Sequence, residues 1–152
     1  MKVFFDTSVL VAVFWGDHPL HDACMRVFRK AARPSAFCAA HSMAELYAVI
    51  TRLPVRPAIA GEQVLLFLES LRARVSPVAL STDEYVAALG QAAGLGAAGG
   101  KVYDVLLLNC ARKCAADLIY TLDAGDFPRL APDLGRRIRV LSANPPASRP
   151  VL

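Results

Sequence analysis

Five short apolar runs alternate along the chain with longer stretches bounded by helix-starting and helix-breaking residues. The apolar runs predict β-strands at 2–5, 36–40, 75–80, 118–122 and 138–141. The stretches between them predict helices at 9–15, 18–32, 42–52, 58–74, 81–93 and 101–115. Strands that alternate with helices are typical of a parallel sheet with helices packed on both faces. We therefore expect an α/β fold in which a parallel sheet is the middle of three layers.

Four carboxylates follow predicted strands directly or lie about one turn into a helix: Asp6, Glu45, Asp104 and Asp123. Side chains at the carboxyl ends of parallel strands converge on one crevice, so we expect these acids to meet at that edge of the sheet. Like charges that share a site repel each other unless a cation joins them. The pattern therefore predicts a site for a divalent cation.

Asp104 is the most informative of the four acids, because its position in a helix places a carboxylate on an apolar face. Leu107, Leu108 and Ala111 share that face. A lone buried charge is costly, so such a residue is normally paired, hydrogen-bonded or bound to a metal ion. An ion pair with a buried arginine, or a favourable place near a helix start, explains Asp104 as well as a metal ion does.

The other acids each have a simpler structural explanation when taken alone. Asp6 after a strand is a common helix N-cap, and Ser42 with Glu45 matches a capping box at the start of a helix. Asp123 and Asp126 fit a turn. A metal site is favoured over these separate explanations because all the acids fall on the same edge of the predicted sheet.

Length and composition indicate one globular domain. The chain has 152 residues, of which 55% are hydrophobic and 20% are charged, and no repeat or linker divides it. We assign 1–143 to the domain and expect a loose tail at 144–152, which contains three prolines. The net charge of +4 and the pI near 9.1 are compatible with a polyanionic partner but do not require one.

The N-terminal apolar run and the cysteines bear on the cellular compartment. The run at 3–15 is shorter than the ~20 apolar residues of a membrane span, contains Asp6, and has no clean signal-peptide cleavage site after it. The chain has four cysteines, at Cys24, Cys38, Cys110 and Cys114. They form no Cys-x-x-Cys pair. We expect a cytoplasmic protein without membrane contact, whose thiols are reduced and pack as small hydrophobic side chains.

Two other motifs match a functional pattern poorly. The segment 94–101 resembles a phosphate-binding loop, but Leu95 and Val102 occupy places where that motif needs Gly and Ser or Thr. We expect a flexible connector there. His18 and His21 lie three residues apart near a predicted helix start, where surface or packing roles are more common than zinc binding.

A cluster of acids of this kind suits metal-assisted phosphoryl transfer. Carboxylate oxygens are preferred ligands of Mg²⁺ and Mn²⁺, which also bind phosphate oxygens. Such an ion lowers the pKa of a bound water and neutralises charge that develops at the phosphorus. The sequence therefore predicts metal-dependent chemistry on a phosphate group.

Four segments, in this order and at these intervals, resemble the PIN domains, and specifically the VapC-type toxins of VapBC toxin–antitoxin pairs. The segments are Phe5-Asp6-Thr7-Ser8, Ser42-Met43-Ala44-Glu45-Leu46-Tyr47, Tyr103-Asp104-Val105-Leu106-Leu107 and Thr121-Leu122-Asp123-Ala124-Gly125-Asp126-Phe127. Each segment is short, but the ordered set spans nearly the whole chain.

The resemblance implies a three-layer α/β/α sandwich with a five-stranded parallel sheet in the order 3-2-1-4-5, and a switch point between strands 1 and 4. It also implies that Mg²⁺ or Mn²⁺ is held, directly or through water, by Asp6, Glu45, Asp104 and Asp123. Ser8 and Thr121 would orient these carboxylates. Asp126 would be either a peripheral ligand or a residue that contacts the ligands without binding the ion.

The same resemblance implies a divalent-metal-dependent endoribonuclease that hydrolyses RNA, usually in a tRNA or rRNA loop, with a metal-activated water. It implies restraint by a cognate VapB-type antitoxin and suggests a homodimer. The motifs do not define RNA contacts, for which Arg52, Lys101 and Arg112 are candidates. Two alternatives stay open: a non-catalytic PIN-like module that binds an antitoxin or RNA, and a PIN nuclease that processes RNA or DNA without a toxin role.

Overall fold

The computed structural model describes residues 1–143, and the predicted tail at 144–152 lies outside the described residues. The strands in this part of the chain are β1 (Val3–Phe5), β2 (Ala36–Ala39), β3 (Ser76–Val78), β4 (Leu118–Thr121) and β5 (Ile138–Val140). Its helices are α1 (Thr7–Phe14), α2 (His21–Phe28), α3 (Ala40–Ile50), α4 (Gly61–Arg74), α5 (Thr82–Gly94), α6 (Lys101–Lys113) and α7 (Asp126–Leu130), with a 3₁₀-helix at Pro132–Leu134.

The strands form one parallel sheet in the order β3-β2-β1-β4-β5, so the predicted fold class and strand order are confirmed. β1 is the central strand: Phe5 pairs with Cys38 of β2 on one side and with Tyr120 of β4 on the other. The backbone N–H of Asp6 continues this pairing by donating to the Tyr120 carbonyl at 2.9 Å. Asp6 therefore leaves the middle of the sheet at its carboxyl edge, at the switch point.

Two hydrophobic cores lie on opposite faces of the sheet. Phe4 is buried in the core formed with α5, α6 and α7, whereas Phe5 is buried in the core formed with α1 to α4. Successive side chains of a strand face opposite ways, and β1 is apolar on both faces because helices cover both. The molecule is thus the three-layer α/β/α sandwich that was expected.

α3 begins at Ala40, two residues earlier than predicted, and the capping box predicted for Ser42 and Glu45 is wrong. Ala39 lies at the N-cap position and offers no side-chain hydrogen bond. The side chains of Ser42 and Glu45 instead contact the Thr7 hydroxyl of α1. A contact between distant parts of the chain has taken the place of the local cap.

Other element ends also differ from the predicted ones. α2 begins only at His21, because the residues before it form a turn in which His18 Nδ1 accepts the Leu20 N–H at 3.0 Å. Asp6 lies at the N-cap position of α1, but its side chain forms no capping hydrogen bond. A short helix that was not predicted, α7, begins at Asp126, directly after the turn.

The N-terminal apolar run forms β1 and α1, both of which contribute to the core. Cys24, Cys38 and Cys110 are buried, Cys114 is partly buried, and all of them are free thiols. Among the helices of residues 1–143, none combines the length and the apolar character that crossing a bilayer requires.

Candidate metal centre

The predicted acids line one cavity of about 370 Å³ at the carboxyl edge of the sheet. Asp6 follows β1, Asp123 follows β4, and Glu45 and Asp104 project from α3 and α6. The lining consists of Asp6, Thr7, Ser8, Val11, His18, Glu45, Val49, Asp104, Leu122 and Asp123. The structure therefore brings together all four acids that the sequence singled out, and their role as metal ligands stays a prediction.

Asp6 is the most buried of the four, with 5% of its surface exposed. The hydroxyls of Ser8 and Thr121 donate to its Oδ2 at 2.6 and 2.8 Å. The Ser8 hydroxyl accepts the Leu122 N–H at 3.1 Å, and the Thr121 hydroxyl accepts the Asp123 N–H at 3.0 Å. Both hydroxyl protons are thereby directed at Asp6. Burial raises the pKa of Asp6 above its ordinary value, while the hydrogen bonds from these hydroxyls oppose the rise.

Glu45 is held by the hydroxyl of Thr7, which joins α1 to α3. Thr7 Oγ1 lies 2.8 Å from Ser42 Oγ and 3.1 Å from Glu45 Oε1, and both hydroxyl residues are buried. The ring of His41, one turn earlier in α3, lies 3.9 Å from the Glu45 carboxylate. Burial raises the pKa of Glu45, the Thr7 hydrogen bond and His41 lower it, and the nearby charge of Asp6 adds to the rise.

Asp104 is half-buried and has no hydrogen-bond or ion-pair partner among residues 1–143. Leu107, Leu108 and Ala111 on the same helix face are packed into the core, as predicted. The ion pair with a buried arginine is therefore not formed within this part of the chain. Loss of hydration, with repulsion from Asp6 and the neighbouring acids, raises the pKa of Asp104 to about 7.

Asp123 shapes the turn between β4 and α7. Its Oδ1 accepts the backbone N–H groups of Gly125 and Asp126, both at 2.9 Å. The turn that the sequence predicted is therefore formed, and its hydrogen bonds fix the orientation of the Asp123 carboxylate. Because Asp123 also lines the cavity, the turn and the site use the same side chain.

Asp126 lies beside the cavity but its charge is balanced. One carboxylate oxygen from each of Asp104, Asp123 and Asp126 lies within 4.8 Å of the others. The Asp126 Oδ1, however, is 3.1 Å from the Arg129 guanidinium and 3.5 Å from the Lys101 ammonium. Arg129 and then Lys101 lower the pKa of Asp126. Asp104 and Asp123 are therefore the better candidates for ligands, and Asp126 for a residue at the periphery.

The donor set fits a hard divalent cation. Within residues 1–143, none of the four cavity acids forms an ion pair with a Lys or Arg. Three of these carboxyl groups have raised pKa values, as expected where negative charge lacks a counter-ion. Mg²⁺ and Mn²⁺ prefer clustered carboxylate oxygens and would supply the missing positive charge.

The three basic residues considered as contacts for a polyanion lie in different surroundings. Lys101 begins α6 beside the cavity, and Arg52 is exposed just beyond the end of α3. Arg112 lies eight residues beyond Asp104 on α6, a distance of ~12 Å along the helix. It forms a two-point ion pair with Asp133 at 2.8 and 3.0 Å. This placement supports Lys101 better than Arg112.

The structure adds residues to the site that the sequence did not assign to it: Thr7, Ser42, His18, His41 and Tyr103. The three-residue spacing of Ser42 and Glu45, which places both on one helix face, was the available signal for the Thr7 contact. The His41 and Tyr103 rings stack at 4.8 Å between α3 and α6. No local pattern marks His18, because only the tertiary fold brings its loop to the cavity.

The protein belongs to the α/β class. It is a parallel α/β/α sandwich with a carboxylate cluster at the switch point of its sheet. The family model of the PIN domain matches residues 3–132. The chain belongs to the PIN domain family, as the four sequence segments predicted.

Curated relatives support the VapC-type branch of the family. Two proteins named ribonuclease VapC40 match the chain, from Mycobacterium tuberculosis strains CDC 1551 / Oshkosh and ATCC 25618 / H37Rv. Each is 32% identical over 114 residues, which is 75% of this chain and 81% of the relative. The predicted resemblance to VapC proteins is confirmed.

Proposed function

We propose that this protein is a divalent-metal-dependent endoribonuclease and the toxin of a type II toxin–antitoxin pair. Membership of the PIN family and likeness to two proteins named ribonuclease support this activity. One observation carries the proposal: Asp104 is half-buried beside three other acids, and residues 1–143 provide no partner for its charge. Such an arrangement costs stability and is typical of a cation-binding site.

The proposed metal ligands are the cavity acids Asp6, Glu45, Asp104 and Asp123. When bound, Mg²⁺ or Mn²⁺ supplies an activated water and neutralises charge on the phosphodiester. The chain fixes the positions of the ligands: Ser8 and Thr121 hold Asp6, and Thr7 holds Glu45. These hydroxyls keep the carboxylates in place before an ion arrives.

Asp104 is expected to link metal binding to pH. Its pKa of about 7 means that a proton competes with the cation for this carboxylate near neutral pH. We therefore expect the affinity for Mn²⁺ to fall as the pH decreases from 8 to 6, which titration calorimetry would measure.

The proposed substrate is RNA, with tRNA or rRNA loops as the expected targets. A net charge of +4 is compatible with this partner. Lys101 and Arg52 are the candidate phosphate contacts, because both have exposed side chains. Arg112 is the weaker candidate, since its guanidinium is paired with Asp133.

The proposed protein partners are a VapB-type antitoxin and a second copy of the chain. Large apolar side chains are exposed on α4 and α5, at Leu65, Leu66, Val86 and Leu89, and surfaces of this kind are typically covered by a partner. We further propose that 1–143 form the single catalytic domain and that the protein acts in the cytoplasm.

Replacement of Asp6 by Asn tests the activity. The Asp6→Asn variant should cleave single-stranded RNA in Mg²⁺ or Mn²⁺ at a rate on the order of 100-fold or more below wild type. Its melting temperature in metal-free buffer should stay equal or rise, because a repelling charge is removed. Asp117→Asn is the matched control: Asp117 precedes β4 at the opposite edge of the sheet and should be dispensable for cleavage. Full activity of purified Asp6→Asn would refute the proposal.

Two experiments separate the alternatives. No Mn²⁺ binding by the wild-type protein at neutral pH would favour a non-catalytic PIN-like module. Expression in a host, with and without a co-expressed VapB-type antitoxin, separates a toxin from a processing nuclease. Growth arrest that the antitoxin relieves, with new RNA ends mapped in the arrested cells, is the expected result for a toxin.

A further inference from the structure

His18 differs from every other residue around the acidic cavity. It lines the cavity together with the four acids, and among the lining residues in 1–143 it is the only one whose side chain contains nitrogen. The ring is held in place on two sides. Its Nδ1 accepts the Leu20 N–H at 3.0 Å, and the ring forms a T-shaped contact with the Trp15 ring, with centroids 5.9 Å apart.

The contact with Leu20 determines the tautomer of the neutral ring. A backbone N–H can only donate, so Nδ1 of His18 must be the acceptor and the ring proton must be on Nε2. No partner for Nε2 occurs in the described part of the chain, where this side chain makes just the one hydrogen bond. The ring thus carries a fixed N–H donor that no group in residues 1–143 uses.

The lining hydroxyls and the ionised acids offer no free donor to a phosphate. Ionised carboxylates only accept hydrogen bonds. The Thr7 hydroxyl is directed at Ser42 and Glu45, and the Ser8 hydroxyl is directed at Asp6. A phosphodiester that enters this cavity brings two non-bridging oxygens, both acceptors, into a site of strongly negative charge.

We propose that His18 is a catalytic residue that donates an Nε2–H hydrogen bond to a non-bridging oxygen of the scissile phosphodiester. This inference rests on the proposed nuclease function. The bond would hold the phosphate against the metal ligands and stabilise charge on its oxygens as the reaction proceeds. The substrate class is any RNA phosphodiester, because the contact involves no base.

His21 provides the matched control. Its Nδ1 lies 2.7 Å from the Ala12 carbonyl, which ties the start of α2 to α1, and it does not line the cavity. An Asn at this position keeps a donor for the Ala12 carbonyl. His21→Asn should therefore leave cleavage within about twofold of wild type.

Two substitutions of His18 separate its two nitrogens. In His18→Asn the side-chain carbonyl can still accept the Leu20 N–H, as in an Asx turn, but nothing reaches the position of Nε2. In His18→Gln the amide NH₂ lies near the former Nε2. We expect cleavage to fall about 10- to 100-fold in the Asn variant and to recover at least threefold in the Gln variant. The Mn²⁺ affinity should be unchanged in both.

The inference fails if His18→Asn cleaves as well as wild type, if the Gln variant is no better than the Asn variant, or if Mn²⁺ affinity falls together with the rate.

A readout independent of cleavage uses nitrogen-15 NMR of the wild-type protein. The Nε2 resonance of His18 should shift when a single-stranded RNA oligonucleotide is added, and the His21 ring should not respond. An unmoved His18 signal would overturn the inference even if the protein is an active nuclease. If the protein cleaves no RNA, the proposed function fails, and the NMR result alone decides whether His18 binds a phosphate.

Discussion

Burial of polar side chains in this molecule is concentrated at one place. In residues 1–143, the buried polar and charged side chains are Asp6, Thr7, Ser42 and Thr121. All of them belong to the hydroxyl–carboxylate network of the acidic cavity. A buried polar group costs stability unless it is hydrogen-bonded, and here the hydroxyls provide those bonds. The partner that this network lacks is a cation.

Asp104 should make the metal-free protein less stable as the pH rises. Its pKa is raised from 3.8 to about 7 in the folded state, so the folded protein holds a proton that the unfolded chain has released between these values. The contribution of this proton to the free energy of unfolding is fully present below pH ~4 and is lost as the pH rises through ~7. In EDTA, Asp104→Asn should exceed wild type in melting temperature by about 2 to 8 °C at pH 8, with a smaller difference at pH 5.

Asp133→Asn is the control with the opposite sign. The Arg112 guanidinium lowers the pKa of Asp133, so this carboxylate stabilises the fold at neutral pH and the stability is lost as the pH falls. Its replacement should lower the melting temperature at pH 8, or leave it unchanged, and never raise it. An equal gain for Asp104→Asn at pH 5 and pH 8 would contradict the assignment of the effect to ionisation of the Asp104 carboxyl group, which burial and the neighbouring acids oppose.

Among the elements, α3 is positioned by a contact with α1 rather than by its own cap. The helix begins at Ala40 with no side-chain cap, and the Thr7 hydroxyl bridges to Ser42 and Glu45. This bridge places Glu45 at the same cavity as Asp6, although 38 residues separate Thr7 from Glu45. The geometry of the acids therefore depends on how two helices pack.

Thr7→Val should weaken both the fold and the site. Valine has nearly the same shape but leaves the buried Ser42 hydroxyl and the Glu45 carboxylate without a hydrogen-bond partner. We expect a loss of about 1–3 kcal/mol in the free energy of unfolding, measured by urea denaturation, and a weaker affinity for Mn²⁺. Thr51→Val, which removes an exposed hydroxyl bonded to the Tyr47 carbonyl of the same helix, should cost less and leave Mn²⁺ affinity unchanged. Equal effects of the two variants would show that the bridge has no special role.

At the scale of the whole molecule, the cavity gathers acids from elements that are distant along the chain. Asp6 follows β1, Glu45 lies in α3, Asp104 in α6, and Asp123 follows β4. An ion that binds them all at once binds only the folded state. It must therefore stabilise the fold as a whole rather than one segment.

Mn²⁺ should raise the melting temperature of the wild-type protein. At a free concentration 100 times the dissociation constant the added stability is ~2.7 kcal/mol, or about 5 to 11 °C for a domain of this size. Differential scanning calorimetry of the wild-type protein and Asp6→Asn, each with Mn²⁺ and with EDTA, measures this shift. The variant should lose most of it. A shift that persists in Asp6→Asn would place the ion elsewhere.

The sequence by itself determined the alternation of strands and helices, the two-sided burial of β1 and the positions of the acids. Its motifs also indicated the strand order and the family. These features could be predicted because they depend on local periodicity, on the type of side chain and on the rule that parallel strand ends meet at one edge. Helix ends were predicted less well: the local capping pattern at Ser42 was overridden by the contact with Thr7.

Only the tertiary structure decided which of these groups touch. Thr7 reaches Glu45 across 38 residues of chain, and His18 meets the acids through a loop that carries no motif. Contacts of this kind depend on the packing of α1, α3 and α6 around the sheet, and no local pattern encodes packing. The same folding leaves Asp104 near four other acids without a counter-charge, which is the physical reason to expect a cation there.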